Sequence, residues 1–162
     1  MRLKNSSKLL IAMVILGLVA GCRSANERDP LGSGDRSLGE AQHNKEVVLN
    51  FYQQMFGDKD LTAVDRYIDA GYIQHNPNVA DGAEAFKQAA AAWFKGAEKT
   101  KVDVQHIAAE GDLVFIHIKN KNKDGSLKST MDIFRLNKGK IIEHWDVHQN
   151  VPAVSANPHP MF

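Results

Sequence analysis

The stretch that most limits how this chain can fold is residues 126–150, SLKSTMDIFRLNKGKIIEHWDVHQN. Apolar and polar residues alternate on both sides of Lys138-Gly139, which predicts two antiparallel strands joined by a tight turn. A type I turn followed by a left-handed Gly139 suits the loop, because a two-residue turn would also demand a positive φ from Lys138. That loop sets Leu136 opposite Lys140, Phe134 opposite Ile142, Asp132 opposite His144 and Thr130 opposite Asp146. The two-residue loop would instead oppose Asp132 to Trp145 and flip one strand. In the expected register Asp132, His144 and Asp146 share one face, and Trp145 lies on the other with Ile133, Arg135, Ile141 and Glu143. Charge set among Ile, Phe, Met, Val and Trp must face either water or a pocket.

Upstream, Val47, Val48, Phe51, Tyr52 and Phe56 recur at helical steps, predicting an amphipathic helix over 44–56 that Gly57 closes. Asp60 is placed to cap a short second helix carrying Leu61, Val64, Tyr67 and Ile68. Tyr72-Ile73-Gln74-His75-Asn76-Pro77 reads as a short extended piece, since proline disfavours the α region before it. A third helix is expected over 83–94, then strands over 101–109 and 113–120 before the final hairpin. The order implies an α+β fold: three N-terminal helices packed on a curved, mainly antiparallel four-strand sheet, forming a cone with a mouth.

The 162 residues leave room for one domain. Residues 1–21 combine a basic start, an apolar run from Leu9 to Val19 and small residues before Cys22, the pattern of a secretory signal. Val19-Ala20-Gly21-Cys22 resembles the bacterial lipobox, which implies lipidation at Cys22 and a domain tethered to the cell envelope, on its periplasmic or extracellular side, through acyl chains alone. An ordinary cleaved signal is the other reading. Residues 22–42 are polar and rich in Gly, Ser and Asp, as in a flexible tether; 43–152 form the domain and 153–162 a proline-rich tail. Cys22 is the single cysteine, so the domain has no disulfide and no thiol for chemistry. A formal charge of +1 without a basic cluster argues against nucleic acid as partner.

The element order, together with Tyr72 to Pro77, Asp132-Ile133-Phe134-Arg135 and Gly139-Lys140-Ile141-Ile142-Glu143-His144-Trp145-Asp146-Val147, resembles the SnoaL-like branch of the NTF2-like superfamily. The resemblance spans about residues 44–152 and hosts several chemistries as well as binding modules. In the polyketide cyclases of this branch an Asp on a core strand is the base of an aldol closure and a His stands on the preceding strand, which implies Asp132 and His117. In the related limonene epoxide hydrolases a last-strand carboxylate activates water, which implies Asp146. That branch also needs an Arg, and Arg135 points away from Asp132.

Enolisation requires a base beside a carbonyl and a donor for the enolate oxygen, and a carboxylate in a dry pocket with an imidazole suits both tasks. Asp132, His117, His144 and Asp146 are therefore the candidate catalytic residues, and His75, Tyr72, Trp93 and Phe134 the candidate ligand-binding ones. The alternative is a buried Asp-His pair that only stabilises the sheet, in a protein that binds a small molecule without changing it. For Tyr72 and Trp93 the alternative is plain core packing, and for His75 a backbone contact at its turn. His144, Asp146 and His148 lie on one strand face, but same-face residues stand nearly 7 Å apart, so neither metal nor other cofactor is expected. The expected ligand is a small apolar molecule. The apolar outer face around Trp145 suggests a homodimer, the alternative being cover by the tail.

Overall fold

The computed structural model describes residues 33–162. The expected signal, Cys22 and the first part of the tether lie outside those residues. The element order is α1 (Ser33–Tyr52), a π-helical turn (Gln53–Gly57), α2 (Thr62–Tyr67), β1 (Ile68–Gln74), α3 (Ala83–Phe94), β2 (Val104–Glu110), β3 (Leu113–Lys121), β4 (Leu127–Asn137) and β5 (Lys140–Asn150). The strands form a five-stranded sheet in the order β1-β5-β4-β3-β2. The expected α+β architecture stands, with one strand more than expected.

That strand is β1, which begins at Ile68, inside the stretch read as a second helix, and runs parallel to β5 with Gln74 opposite His144. It is irregular between Ile68 and Ile73, where the Gly71 N–H donates to Asp69 Oδ1, so helical and extended signals overlap in these few residues. Helix α1 begins at Ser33, within the expected tether, and residues 37–40 are exposed. Their polarity matches the expectation; their helical backbone does not, because α1 extends outward from the turns that the core anchors. Asp60 does cap α2, accepting from the Thr62 N–H and hydroxyl.

The concave face of the sheet closes on α1, α2 and α3. Val47, Val48, Phe51 and Met55 meet Val114, Ile116 and Ile118 of β3 and Phe134 and Leu136 of β4 in one core. At the convex face the tail folds back, and the Phe162 ring stacks on His117 with centroids 5.9 Å apart. Ile73, Met131 and Val147 stay exposed there, the part of that face open to a second copy.

The final hairpin differs from expectation in a way that decides the site. Asn137 pairs with Lys140, so the loop has two residues, and Lys138 and Gly139 adopt φ of 50° and 75°. Such a loop alone would oppose Asp132 to Trp145. A bulge intervenes, however: Leu136 pairs with Ile141 but Arg135 with Glu143, so Ile142 is the extra residue. Beyond it Phe134 faces His144 and Asp132 faces Asp146. The bulge also switches which residues of β5 point inward. Ile141 before it is fully buried in the core, whereas the expected alternation put it outside with Trp145.

Lys138 bears the strain of this turn, since a non-glycine residue in the left-handed region costs about 1–2 kcal/mol. Asn tolerates that region, and Lys138→Asn makes the preferred Asn-Gly turn, so it raises stability by about 0.5–1 kcal/mol. An unchanged or lower urea midpoint would show that the Lys138 side chain offsets its backbone strain.

Candidate functional site

Between the helices and the inner face of β4 and β5 lies a cavity of about 490 Å3. Phe56, Val79, Trp93 and Phe94 supply its apolar walls; Asp132, His144 and Asp146 supply its polar one. Asp132 is 4% exposed and His144 7%, far more buried than ionisable side chains usually are.

The hydrogen bonds around His144 locate its protons. The Asn76 backbone N–H donates to Gln74 Oε1 at 2.9 Å, and Gln74 Nε2 donates to the Tyr72 hydroxyl at 3.0 Å, which fixes the Gln74 amide. His144 Nδ1 lies 2.9 Å from Gln74 Oε1, an atom that only accepts, so Nδ1 carries a hydrogen. His144 Nε2 lies 2.9 Å from Asp132 Oδ1. One proton must sit between these two, on the imidazole as an ion pair or on the carboxyl as a neutral pair. Asp132 Oδ2 accepts from the Tyr52 hydroxyl at 2.8 Å. Burial, and then the Asp132 charge, push the Tyr52 phenol well above its ordinary range, so it stays a neutral donor. Phe134 lies beneath the imidazole, stacked at 4.7 Å between ring centroids.

Asp146 is held differently. Asn76 Nδ2 donates to both carboxylate oxygens, at 2.9 and 2.8 Å, and His148 Nε2 lies 3.3 Å from one of them. Burial raises its pKa, but the hydrogen bonds from His148 and Asn76 outweigh burial and hold the carboxyl below its usual value, so Asp146 is ionised at neutral pH. A relay continues along the wall, with Asn120 Nδ2 donating to Thr130 Oγ1 and His148 Nδ1 3.0 Å from that oxygen. Among the described residues no buried side-chain nitrogen or oxygen lacks a hydrogen bond. Asp132, His144 and Asp146 offer donor atoms within 4.8 Å of one another, which makes this trio the place where the described side chains would hold a cation.

Of the expected site residues, the fold brings Asp132, His144, Asp146 and Trp93 to the cavity. His117 is not among them. Val114, Ile116 and Ile118 take the inward positions of β3, so His117 projects outward opposite Met131, where Nε2 meets Ser129 Oγ at 2.7 Å. His75 is also on the outer side: its ring stacks on Trp145 at 4.6 Å and 5°, and its Nε2 lies 2.9 Å from Glu143 Oε1. Tyr72 and Phe134 are core residues behind the pair, 1% and 3% exposed. Arg135 does point away, bonding Glu143 and Asp112.

Sequence reasoning missed Tyr52, Gln74 and Asn76. A hydroxyl on the apolar row of α1 was the available signal for Tyr52, because a buried phenol needs a partner. For Gln74 and Asn76 it was alternation, since they share a face with the buried Tyr72 and His75 does not.

A cone-shaped sheet with a buried carboxylate-imidazole pair, open at one end, is the arrangement expected from the motifs of β4 and β5, and residues 46–156 match the family described as SnoaL-like polyketide cyclase. The chain belongs to the SnoaL-like family. No curated protein matches the sequence. Among solved structures this SnoaL-like chain is similar to TsrD from Streptomyces laurentii, at 18% identity and TM-score 0.56, covering 66% of this chain and 88% of that one. An LEH-like epoxide hydrolase from M. tuberculosis aligns at 16% identity and TM-score 0.57, with coverage of 68% and 85%. An NTF-2 like protein of unknown function from Burkholderia xenovorans aligns at 17% and 0.57, with coverage of 71% and 89%. At such identities the likeness is one of fold, so the chemistry of the SnoaL-like cavity rests on its own residues.

Proposed function

We propose that this SnoaL-like protein is an acid-base catalyst of proton transfer at carbon next to a carbonyl, as in aldol cyclisation or isomerisation, acting on a small, largely apolar carbonyl or ring compound. The observation that carries this is the Asp132–His144 pair, with one proton between two buried groups at the wall of an open cavity. Burying a carboxylate and an imidazole is expensive unless they are paired, and placing the pair against an open cavity gives it access to a ligand. In its ion-pair form Asp132 takes the proton from the substrate carbon, and His144, oriented by Gln74, donates toward the developing enolate oxygen. Tyr52 steadies the carboxylate through its other oxygen. Asp146, ionised and clamped by Asn76, sets the field of the wall.

A second reading, a binding protein that changes nothing, is favoured by the complete pairing of these polar atoms with one another. The ketone 1-tetralone in deuterium oxide separates the two. Catalysis predicts deuterium at the carbon next to its carbonyl faster than in buffer alone. Binding without any acceleration leaves the second reading and removes the first.

The proposal includes a lipid anchor at Cys22 and residence at the bacterial cell envelope, supported by the basic start, apolar run and small residues that precede Cys22. No described helix is long and apolar enough to cross a membrane. Cys22→Ser is expected to move the protein from the detergent phase to the aqueous phase in Triton X-114 partition. Equal partition of both forms would remove the anchor.

A further inference from the structure

The cavity has two electrostatic halves. Its inner wall carries Asp132 and Asp146, and its rim carries Lys59 from the turn after α1, Lys121 at the end of β3, Lys123 from the β3–β4 connection, and Lys128 at the start of β4. Among the described residues no carboxylate lies within 4.0 Å of any of these four ammonium groups. Pairing is available elsewhere on the surface, where Lys87 binds Asp65 at 2.7 Å. The acids next in sequence to rim lysines are engaged otherwise: Asp58 Oδ1 accepts from Gln53 Nε2, Asp60 accepts from Thr62 and Arg66, and Asp124 Oδ1 accepts from the Ser126 backbone N–H and hydroxyl. The formal charge of the whole chain is only +1, so the rim is a local concentration and not a general excess.

Lys59 is set there by its backbone. It adopts φ of 60°, unusual for a non-glycine residue, and its Nζ donates to the Phe56 carbonyl and stands 5.1 Å from the centroid of the Phe94 ring. Partial burial lowers the pKa of this ammonium. An adjoining hollow of about 540 Å3 shares Lys59 and Lys121 with the cavity, so these two stand where the spaces meet.

We propose that the ligand of this cavity is an apolar molecule ended by a single oxyanion, such as a carboxylate, which the lysine rim holds while the neutral carbonyl end reaches Asp132 and His144. The inference rests on the proposed function for which end goes in first, and it adds the charge of the substrate. The reverse orientation would press an anion against ionised Asp146 at the inner wall, where low polarity strengthens repulsion.

Two dyes that differ by one charge test this: 8-anilinonaphthalene-1-sulfonate, an anion, and N-phenyl-1-naphthylamine, its neutral and more apolar counterpart. Without the rim, the neutral dye binds as well or better. With it, the anion binds about tenfold tighter at low salt, and the advantage shrinks as ionic strength rises. The triple variant Lys59→Gln, Lys121→Gln, Lys128→Gln loses that advantage and keeps its affinity for the neutral dye. Displacement of both dyes by 1-tetralone places them in the cavity. Equal binding of the two dyes by the unaltered protein, a preference insensitive to salt, one that survives in the triple variant, or dyes that 1-tetralone does not displace each overturn the proposal. Should the triple variant unfold, the salt dependence of the unaltered protein decides alone. Asp132→Asn keeps the dye preference and loses deuterium exchange if both readings hold. Dye preference without exchange in the unaltered protein removes catalysis and leaves the rim, and exchange without dye preference does the opposite.

Discussion

Asp132→Asn is expected to slow deuterium incorporation into 1-tetralone by about 100- to 10,000-fold, the range a positioned general base supplies. The fold should survive the change. Tyr52 now donates to the amide oxygen, and the amide nitrogen donates to His144 Nε2, whose Nδ1 remains the donor to Gln74 Oε1. Every buried polar atom keeps a partner, so stability changes by only about 1 kcal/mol, the worth of an ordinary hydrogen bond. Loss of exchange with an intact thermal transition therefore reports on the base itself. Exchange retained in the variant would pass the role to Asp146, the other carboxylate of the cavity. A melting temperature that collapses with the activity would mean the pair mainly holds the sheet together.

Phe51→Ala should have the largest effect on stability, lowering it by about 3–5 kcal/mol. Phe51 is 1% exposed, and its ring meets those of Phe56, Tyr67, Phe86 and Phe134 with centroids 5.9 to 6.4 Å apart. These neighbours come from the π-helical turn, α2, α3 and β4, so no single element can move to close the hole. For a domain of this size the loss corresponds to a fall in melting temperature of roughly 10–20 °C, read by calorimetry. Tyr52 is the next residue on α1, so any shift of that helix also loosens the donor to Asp132. A fall of only a few degrees would mean that the helices repack freely on the sheet.

Much of the architecture was legible because periodicity is a local property. The α1 row of Val47, Val48, Phe51 and Tyr52 and the inward set Thr130, Asp132, Phe134 and Leu136 on β4 lie where helix and strand spacing place them. The meeting of Asp132, His144 and Asp146 on one face was legible too, although the expected pairing was not the observed one. Two departures add: the shorter turn and the bulge at Ile142 each move the pairing by one residue in the same direction, which brings Asp132 opposite Asp146, two residues beyond His144. Side-chain direction depends only on odd or even offset, so the shared face survived both.

What local pattern could not settle is which side of a strand meets the helices when both sides are apolar. On β3, Leu113 and Phe115 alternate with Val114 and Ile116, and nothing nearby tells His117 whether it follows the outer or the inner set. Pairing with β4 decides it, by opposing Ile116 to Asp132 and His117 to Met131. The same holds at β1, where parallel pairing with β5 turns Gln74 and Asn76 into the cavity and leaves His75 stacked on Trp145 outside. The chain by itself thus determined the residue types of a carboxylate-imidazole pair, the helices and strands that carry them and the family they belong to. Only the tertiary structure decided which groups orient the pair, because Tyr52 and Gln74 reach Asp132 and His144 across 80 and 70 residues, and contacts at that separation exist only once the sheet has closed on its helices.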